Sequence, residues 1–287
     1  MPSLHSYMRP TQLYVSLGSS DDRPAVLSTF EACVKDILIW CTPNGLACNP
    51  DKTEVIHLCS CFQSITLPGI DVGGYTISPT PAARDLGVLV DSHLTLSKHV
   101  NSVCKSAFFS ISKICRIRKY LDHDNCERLV HAFISSTLDS CNSLLTGLPD
   151  KEISKLQRVQ NAAARLIVGA AKNEHLSPIL QQLHWLPVKF RIDFKILMLT
   201  YKALNNQAPD YISELLTLYK PSRALRSSSQ MLLVVPKTKT KLYGDRSFAA
   251  SAPKLWNALP VQIKNSESLD IFKSKDKTHL FRQCYRV

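Results

Sequence analysis

The alternation of hydrophobic and polar positions changes period once along the chain. Up to about residue 91 it favours short strands around a single helix. Residues 11–17 alternate and predict a strand, which Pro10 keeps out of the middle of a ladder. Ser20, Asp21 and Asp22 predict the cap of a helix in which Val26, Leu27, Phe30, Val34, Ile37 and Leu38 keep helical spacing, with Asn44 and Gly45 ending it. Residues 54–62 alternate again, 70–77 read as a hairpin turning at Gly73 and Gly74, and 86–90 supply a further strand. From Leu96 onward the period becomes 3.6, predicting helices over 96–121, 125–138, 151–172, 188–204, 209–216, 247–259 and 269–280, with one strand over 231–235 and a surface loop over 220–229. The 188–204 stretch is apolar nearly all round except for a narrow strip of Arg191, Lys195 and Lys202, which predicts a central, buried helix. The fold class expected is α+β, mostly α.

Composition gives that change a direction. With 287 residues, 45% of them apolar and 20% charged, the chain can bury cores in two globular units. Lys and Arg number six against nine acids in residues 1–100, fourteen against eight in 101–200, and fifteen against six in 201–287. The basic excess therefore belongs to the helical part, and a partner presenting phosphates to that part is expected. The ten cysteines include no Cys-x-x-Cys pair and predict reduced, mostly buried thiols. His57, Cys59 and Cys61 alternate on one run, but ligands two apart on a strand lie about 6.6 Å from each other, so no metal site is expected there without a bulge. The first twenty residues hold no apolar leader, and no apolar run reaches about 18 residues, so the expectation is a cytoplasmic or nuclear protein with no membrane span.

The helix expected over 151–172 separates charge from apolar surface. At 100° per residue, Lys151, Lys155, Arg158, Arg165 and Lys172 fall within an arc of roughly 100°, while Ile153, Leu156, Val159, Ala163, Leu166, Ile167 and Ala170 lie between about 60° and 200°. The cationic face would be about 30 Å long and would suit nucleic-acid backbone. The plainer reading is a solvated outer face. Lys237, Lys239 and Lys241, and Lys273, Lys275 and Lys277, are secondary candidates. None of the three sets carries the interleaved aromatics that stack single-stranded bases.

Eight segments in order carry a family resemblance: Thr11-Gln12-Leu13-Tyr14-Val15, Asn49-Pro50-Asp51-Lys52-Thr53-Glu54, Asp85-Leu86-Gly87-Val88, Val159-Gln160-Asn161-Ala162-Ala163-Ala164-Arg165-Leu166-Ile167, Leu183-His184-Trp185-Leu186-Pro187-Val188, Tyr201-Lys202-Ala203-Leu204, Tyr243-Gly244-Asp245-Arg246-Ser247-Phe248 and Pro253-Lys254-Leu255-Trp256-Asn257-Ala258-Leu259-Pro260. With them the chain resembles the C-terminal part of a reverse transcriptase, an RNA-directed DNA polymerase, of a non-LTR (LINE-type, jockey-like) retrotransposon. The resemblance implies a truncated palm-like sheet in residues 1–82, a primer-grip strand and three-helix thumb in 83–172, and a mainly helical C-terminal region in 173–287.

The chemistry departs from that pattern. Such polymerases carry Tyr-x-Asp-Asp before the Thr-Gln-Leu-Tyr strand, and those aspartates, with one from an upstream strand, hold two Mg²⁺ ions. The matching tetrad here is Tyr7-Met8-Arg9-Pro10, a cation and a proline in place of both carboxylates, and the resemblance begins after the upstream aspartate. Catalytic residues are therefore expected to be none and no cofactor is expected, Mg²⁺ belonging to the intact family enzyme. Lys52 matches a loop near the incoming nucleotide but reads as a turn residue, and Asp21 and Asp22 as helix-start residues. Neither hydrolase motifs nor a phosphate-cradling glycine loop occur. The expectation is an inactive reverse-transcriptase fragment that at most binds nucleic-acid backbone, RNA, DNA or hybrid, without sequence preference. The alternative is a functionless or poorly folding relic, favoured by Asp276, which sits between Phe272 and Leu280 on the inward stripe of the last helix, where an unpaired charge is costly.

Overall fold

The computed structural model describes residues 11–17, 22–59, 67–171, 173–220, 230–240 and 243–285. The fold is α+β and mostly helical. Two compact units divide it, Met1–Asp85 with Asp91–His93, and Leu86–Val90 with Leu94–Val287.

The first unit is built on helix α1 (Arg23–Cys41). Pro24 stands in its first turn, where a missing N–H costs nothing. Asp22 precedes it without a side-chain cap bond, and Ser20 and Asp21 lie outside the described residues. The helix tightens into a 3-10 turn, Thr42–Asn44, closed by Gly45 at φ 68°, as the Asn-Gly signal predicts. Strands β1 (Val55–Ile56), β2 (Ile70–Val72), β3 (Tyr75–Ile77), β4 (Pro79–Thr80) and β5 (Ala82–Asp85) follow. β2 and β3 form the expected hairpin, with Gly73 and Gly74 at φ 63° and 88°, a pair of left-handed positions that glycine tolerates. β1 runs parallel to β4, and among the described residues no sheet exceeds two strands.

Residues 11–17, expected as a strand, form none, and Tyr14 is 94% exposed. Alternation supplies a strand's faces but not the neighbour that its ladder needs. For the same reason only Val55–Ile56 pairs from the 54–62 run, of which residues 60–62 lie outside the described residues. Helix α1 packs on the β2 hairpin and leaves Ile39 and Trp40 each 60% exposed.

Strand β6 (Val88–Asp91) begins after a turn at Leu86 and Gly87, with φ 43° and 89°, two residues later than the pattern predicts. The helical unit then runs through α2 (Ser97–Ile117), α3 (His123–Val130), a π-helical turn His131–Ser135, α4 (Ser136–Asp139), α5 (Asp150–Val168), α6 (Leu176–Gln182), α7 (Val188–Leu204), α8 (Asp210–Ser213), α9 (Phe248–Ala258), α10 (Val261–Lys264) and α11 (Leu269–Tyr285). Val100, Ala107 and Ile114 of α2 meet Leu156, Val159, Ala163 and Ile167 of α5 in one core, each at most 5% exposed. Emptying such a position, as in Leu156→Ala, costs about 2–5 kcal/mol. A second cluster gathers Trp256, Ile263 and Phe272 around Leu197 and Tyr201. Tyr201 stacks on Phe272 at 4.4 Å and donates its hydroxyl to the Ser266 carbonyl at 2.7 Å. Helix α7 feeds both clusters, Val188, Ile192 and Ile196 to the first, Leu197 and Tyr201 to the second, which is the central position its sequence predicts.

Other departures have local causes. The 125–138 helix is interrupted by the π turn. The 151–172 helix stops at Val168 because Gly169 takes φ 70° and the Ala170 N–H returns to the Arg165 carbonyl at 3.2 Å, a left-handed stop. The strand over 231–235 is reduced to one bridge, Leu218 to Leu233, and residues 221–229 of the expected loop lie outside the described residues. The described cysteines are free, but only Cys41 and Cys126 are buried, while Cys33, Cys48, Cys115 and Cys141 are exposed; Cys33 and Cys115 lie on outer faces of helices, Cys48 and Cys141 on connecting backbone. No described helix is long and apolar enough to cross a membrane.

Asp276 of α11 is 0% exposed, and among the described residues neither carboxylate oxygen has a hydrogen-bond partner. Burial, and then the charge of Asp193 on α7, push its carboxyl from 3.8 up to about 7. Burial likewise raises Asp193 to about 6, against the pull of Lys189.

Candidate nucleic-acid interface

The cations of α5 are unequal. Lys151 and Arg158 are exposed. Lys155 bends into the seam with α2, where its Nζ lies 2.9 Å from Glu152 Oε2 and donates to Asn101 Oδ1 at 2.9 Å. Glu152 is 8% exposed, so Lys155 neutralises a buried acid and has little charge left for a ligand. Burial raises the Cys104 thiol, while the charges of Lys155 and Arg158 lower it. Arg165 donates from Nη2 to the Glu174 carbonyl at 3.3 Å and has a buried Nε without a partner among the described residues. Lys172 lies past the end of the helix and outside the described residues. Of the five cations expected to line one face, Lys151 and Arg158 are thus the exposed ones.

The neighbouring helix carries a face that wheel reading of α5 overlooks. From Ser97, Lys105 falls at about 80°, Lys98 and Arg116 at about 100°, Phe109 at about 120° and Lys113 at about 160°. All five are exposed, because Val100, Ala107 and Ile114 turn the opposite side into the core. Phe109 is 62% exposed with Lys113 Nζ 4.4 Å from its ring centroid, and beyond the helix Tyr120 is 77% exposed with Lys119 Nζ at 4.8 Å. Cations and flat rings alternating on an open face are what backbone tracking and base stacking require. The sequence signal was available: residues 92–121 contain no acid. Arg118 is the exception on this stretch. Its Nε and Nη2 donate to the Leu166 and Ile167 carbonyls, each at 2.9 Å, so it caps the C-terminus of α5, where a cation also meets the helix dipole.

The remaining candidates scatter. Lys52 ends an exposed 3-10 turn, Pro50–Lys52, whose cap is Asn49 Oδ1 accepting from the Asp51 N–H at 2.9 Å. Tyr7, Met8, Arg9 and Pro10 lie outside the described residues, as do Cys61 and Lys241. Cys59 Sγ lies 3.9 Å from His93 Nδ1. Lys237 and Lys239 are exposed on irregular backbone. Lys273 pairs with Asp270 at 3.1 Å, Lys275 donates to the Gln262 carbonyl at 3.3 Å, and Lys277 lines a cavity beside α7. Compared with protein-family models, curated proteins and solved structures, the chain finds no match.

Proposed function

We propose that this chain is a non-catalytic nucleic-acid-binding protein, a fragment of a non-LTR retrotransposon reverse transcriptase that retains sequence-independent attachment to backbone. The observation that carries the binding is the acid-free outer face of α2, with Lys98, Lys105, Lys113 and Arg116 around Phe109. Lys151 and Arg158 of α5 extend the same charge. The derivation rests on the eight resembling segments, and the loss of chemistry on Arg9 and Pro10 standing where the family has aspartates. No primer extension with Mg²⁺ or Mn²⁺ is expected; template-dependent incorporation sensitive to Lys52→Ala would overturn that part.

A salt titration tests the binding. On single strands of any sequence, log affinity should fall with log salt by about 0.7 for each phosphate neutralised. Changing Lys98, Lys105, Lys113 and Arg116 to Gln should flatten that slope by up to about three. The same loss of charge at Arg128, Lys189, Lys220 and Arg282, all exposed, is the comparison. Equal weakening by both sets would reduce the α2 face to net charge and remove the reading. A second reading, a relic without function, draws on the unpartnered Asp276. A cooperative melting transition counts against it.

A further inference from the structure

A second cationic feature stands apart from the strand-binding face and does not depend on it. A cavity of about 320 Å³ opens along one side of α7, near the lower end of the range of about 300–1,000 Å³ occupied by small-molecule sites. Its charge comes from the narrow polar strip of that helix, Arg191 and Lys195, joined by Lys277 of α11. Arg191 is committed to Asp139, with Nε donating to Oδ1 at 2.8 Å and Nη2 to Oδ2. That fork neutralises the acid lining the cavity, and among the described residues Lys195 and Lys277 have no ion-pair partner.

Trp185, Phe194 and Met198 give the same lining an apolar part that includes two flat rings. Asn142 also lines it, 3% exposed. Its Nδ2 donates to Asp139 Oδ1 at 3.3 Å, which fixes the amide's orientation, and its Oδ1 is buried with no donor among the described residues. A buried acceptor left unmet costs free energy that a ligand N–H can recover. The π turn His131–Ser135 brings the His131 ring to 5.5 Å from Trp185 at this same cavity, and π turns concentrate at functional sites.

A bare phosphate would leave the apolar wall wet, and an aliphatic acid would leave the amide unmet and carry too little charge for two ammonium groups. We propose that this cavity binds a nucleoside 5′-monophosphate group, its base against Phe194, Met198 and Trp185 and its phosphate between Lys195 and Lys277. The group belongs either to a free mononucleotide or to the phosphorylated end of a strand.

Calorimetric titration of the full-length chain tests this with adenosine 5′-monophosphate, adenosine, inorganic phosphate, and one oligonucleotide with and without its 5′-phosphate. Adenosine 5′-monophosphate should saturate a single site and bind at least about tenfold more tightly than adenosine or phosphate. Lys195→Gln with Lys277→Gln should weaken it by about tenfold or more, and Lys195→Arg with Lys277→Arg should keep it. The circular dichroism of both variants should match the parent, since Lys277 is exposed and Lys195 only half-buried. A gain in oligonucleotide affinity on adding the 5′-phosphate assigns the site to strand ends; no gain assigns it to the free nucleotide. The α2 variant with four Gln should still bind adenosine 5′-monophosphate, which separates this proposal from strand binding. Absence of saturation, unchanged affinity in the double Gln variant, or phosphate binding as tightly as the nucleotide would each overturn it.

Discussion

Two carboxylates leave water in the helical unit and meet opposite fates. On the α2–α5 side, Glu152 is held by Lys155 at 2.9 Å. On the α7–α11 side, Asp276 is more deeply buried and has no hydrogen-bond partner among the described residues. The first side meets the cost of a buried charge with a cation, and that cation is then lost to any ligand. The second meets it by binding a proton more tightly, burial pushing the Asp276 carboxyl up to about 7. A row of lysines on a helical wheel therefore overstates a binding face wherever an acid lies one turn away, and a buried acid without a cation makes stability depend on pH.

The contrast breaks most visibly if Lys155 is removed. Lys155→Gln should strand Glu152 and cost about 3 kcal/mol at pH 8, read by urea unfolding; a loss below about 1 kcal/mol, within the range of exposed pairs, would make the pair an ordinary surface contact. Asp276→Asn should do the reverse, its gain growing by about 1.4 kcal/mol per pH unit from almost nothing at pH 4 towards a plateau above pH 7. The sign follows from a native pKa above the ordinary 3.8. The folded state holds the proton more tightly, so the contribution of Asp276 is full below about pH 4 and lost as pH rises to about 7. Thermal melts of parent and variant that stay parallel from pH 4 to 8 would contradict it.

Smaller effects sharpen the assignment of the α2–α5 side to ligand. Phe109→Ala should cost about 1 kcal/mol of single-strand affinity and little with duplex, because only unstacked bases reach a ring; equal losses on both would make Phe109 a packing residue. Smallest of all, Arg158→Gln should flatten the single-strand salt slope by at most about 0.7, and Lys155→Gln by less, since its charge is already matched. A larger change at Lys155 than at Arg158 would invert the ranking.

Periodicity located the helical unit well because burial there is local to each helix: the inward rows of α2, α5 and α7 are legible residue by residue. It failed where an element depends on a neighbour, as at residues 11–17, and where one glycine, Gly169, ended a helix that the charge pattern extended to Lys172. The α5 wheel put five cations on one arc, of which Lys151 and Arg158 are exposed; it could not place Asn101 beside Lys155 or Arg118 on the last carbonyls of α5. Asp276 was legible as an oddity from Phe272 and Leu280 alone. Its coupling to Asp193 was not, since the two lie on different helices.

Helix α7 belongs to both hydrophobic clusters, and this has a consequence for how the unit comes apart. Neither cluster can open while the other stays shut without baring one flank of the same helix, so fraying from α2 or from α11 must converge on it. Amide protons between Ile192 and Tyr201 should then exchange with deuterium only through global opening, at one common rate, while those at the outer ends of α2 and α11 exchange through partial openings of lower free energy.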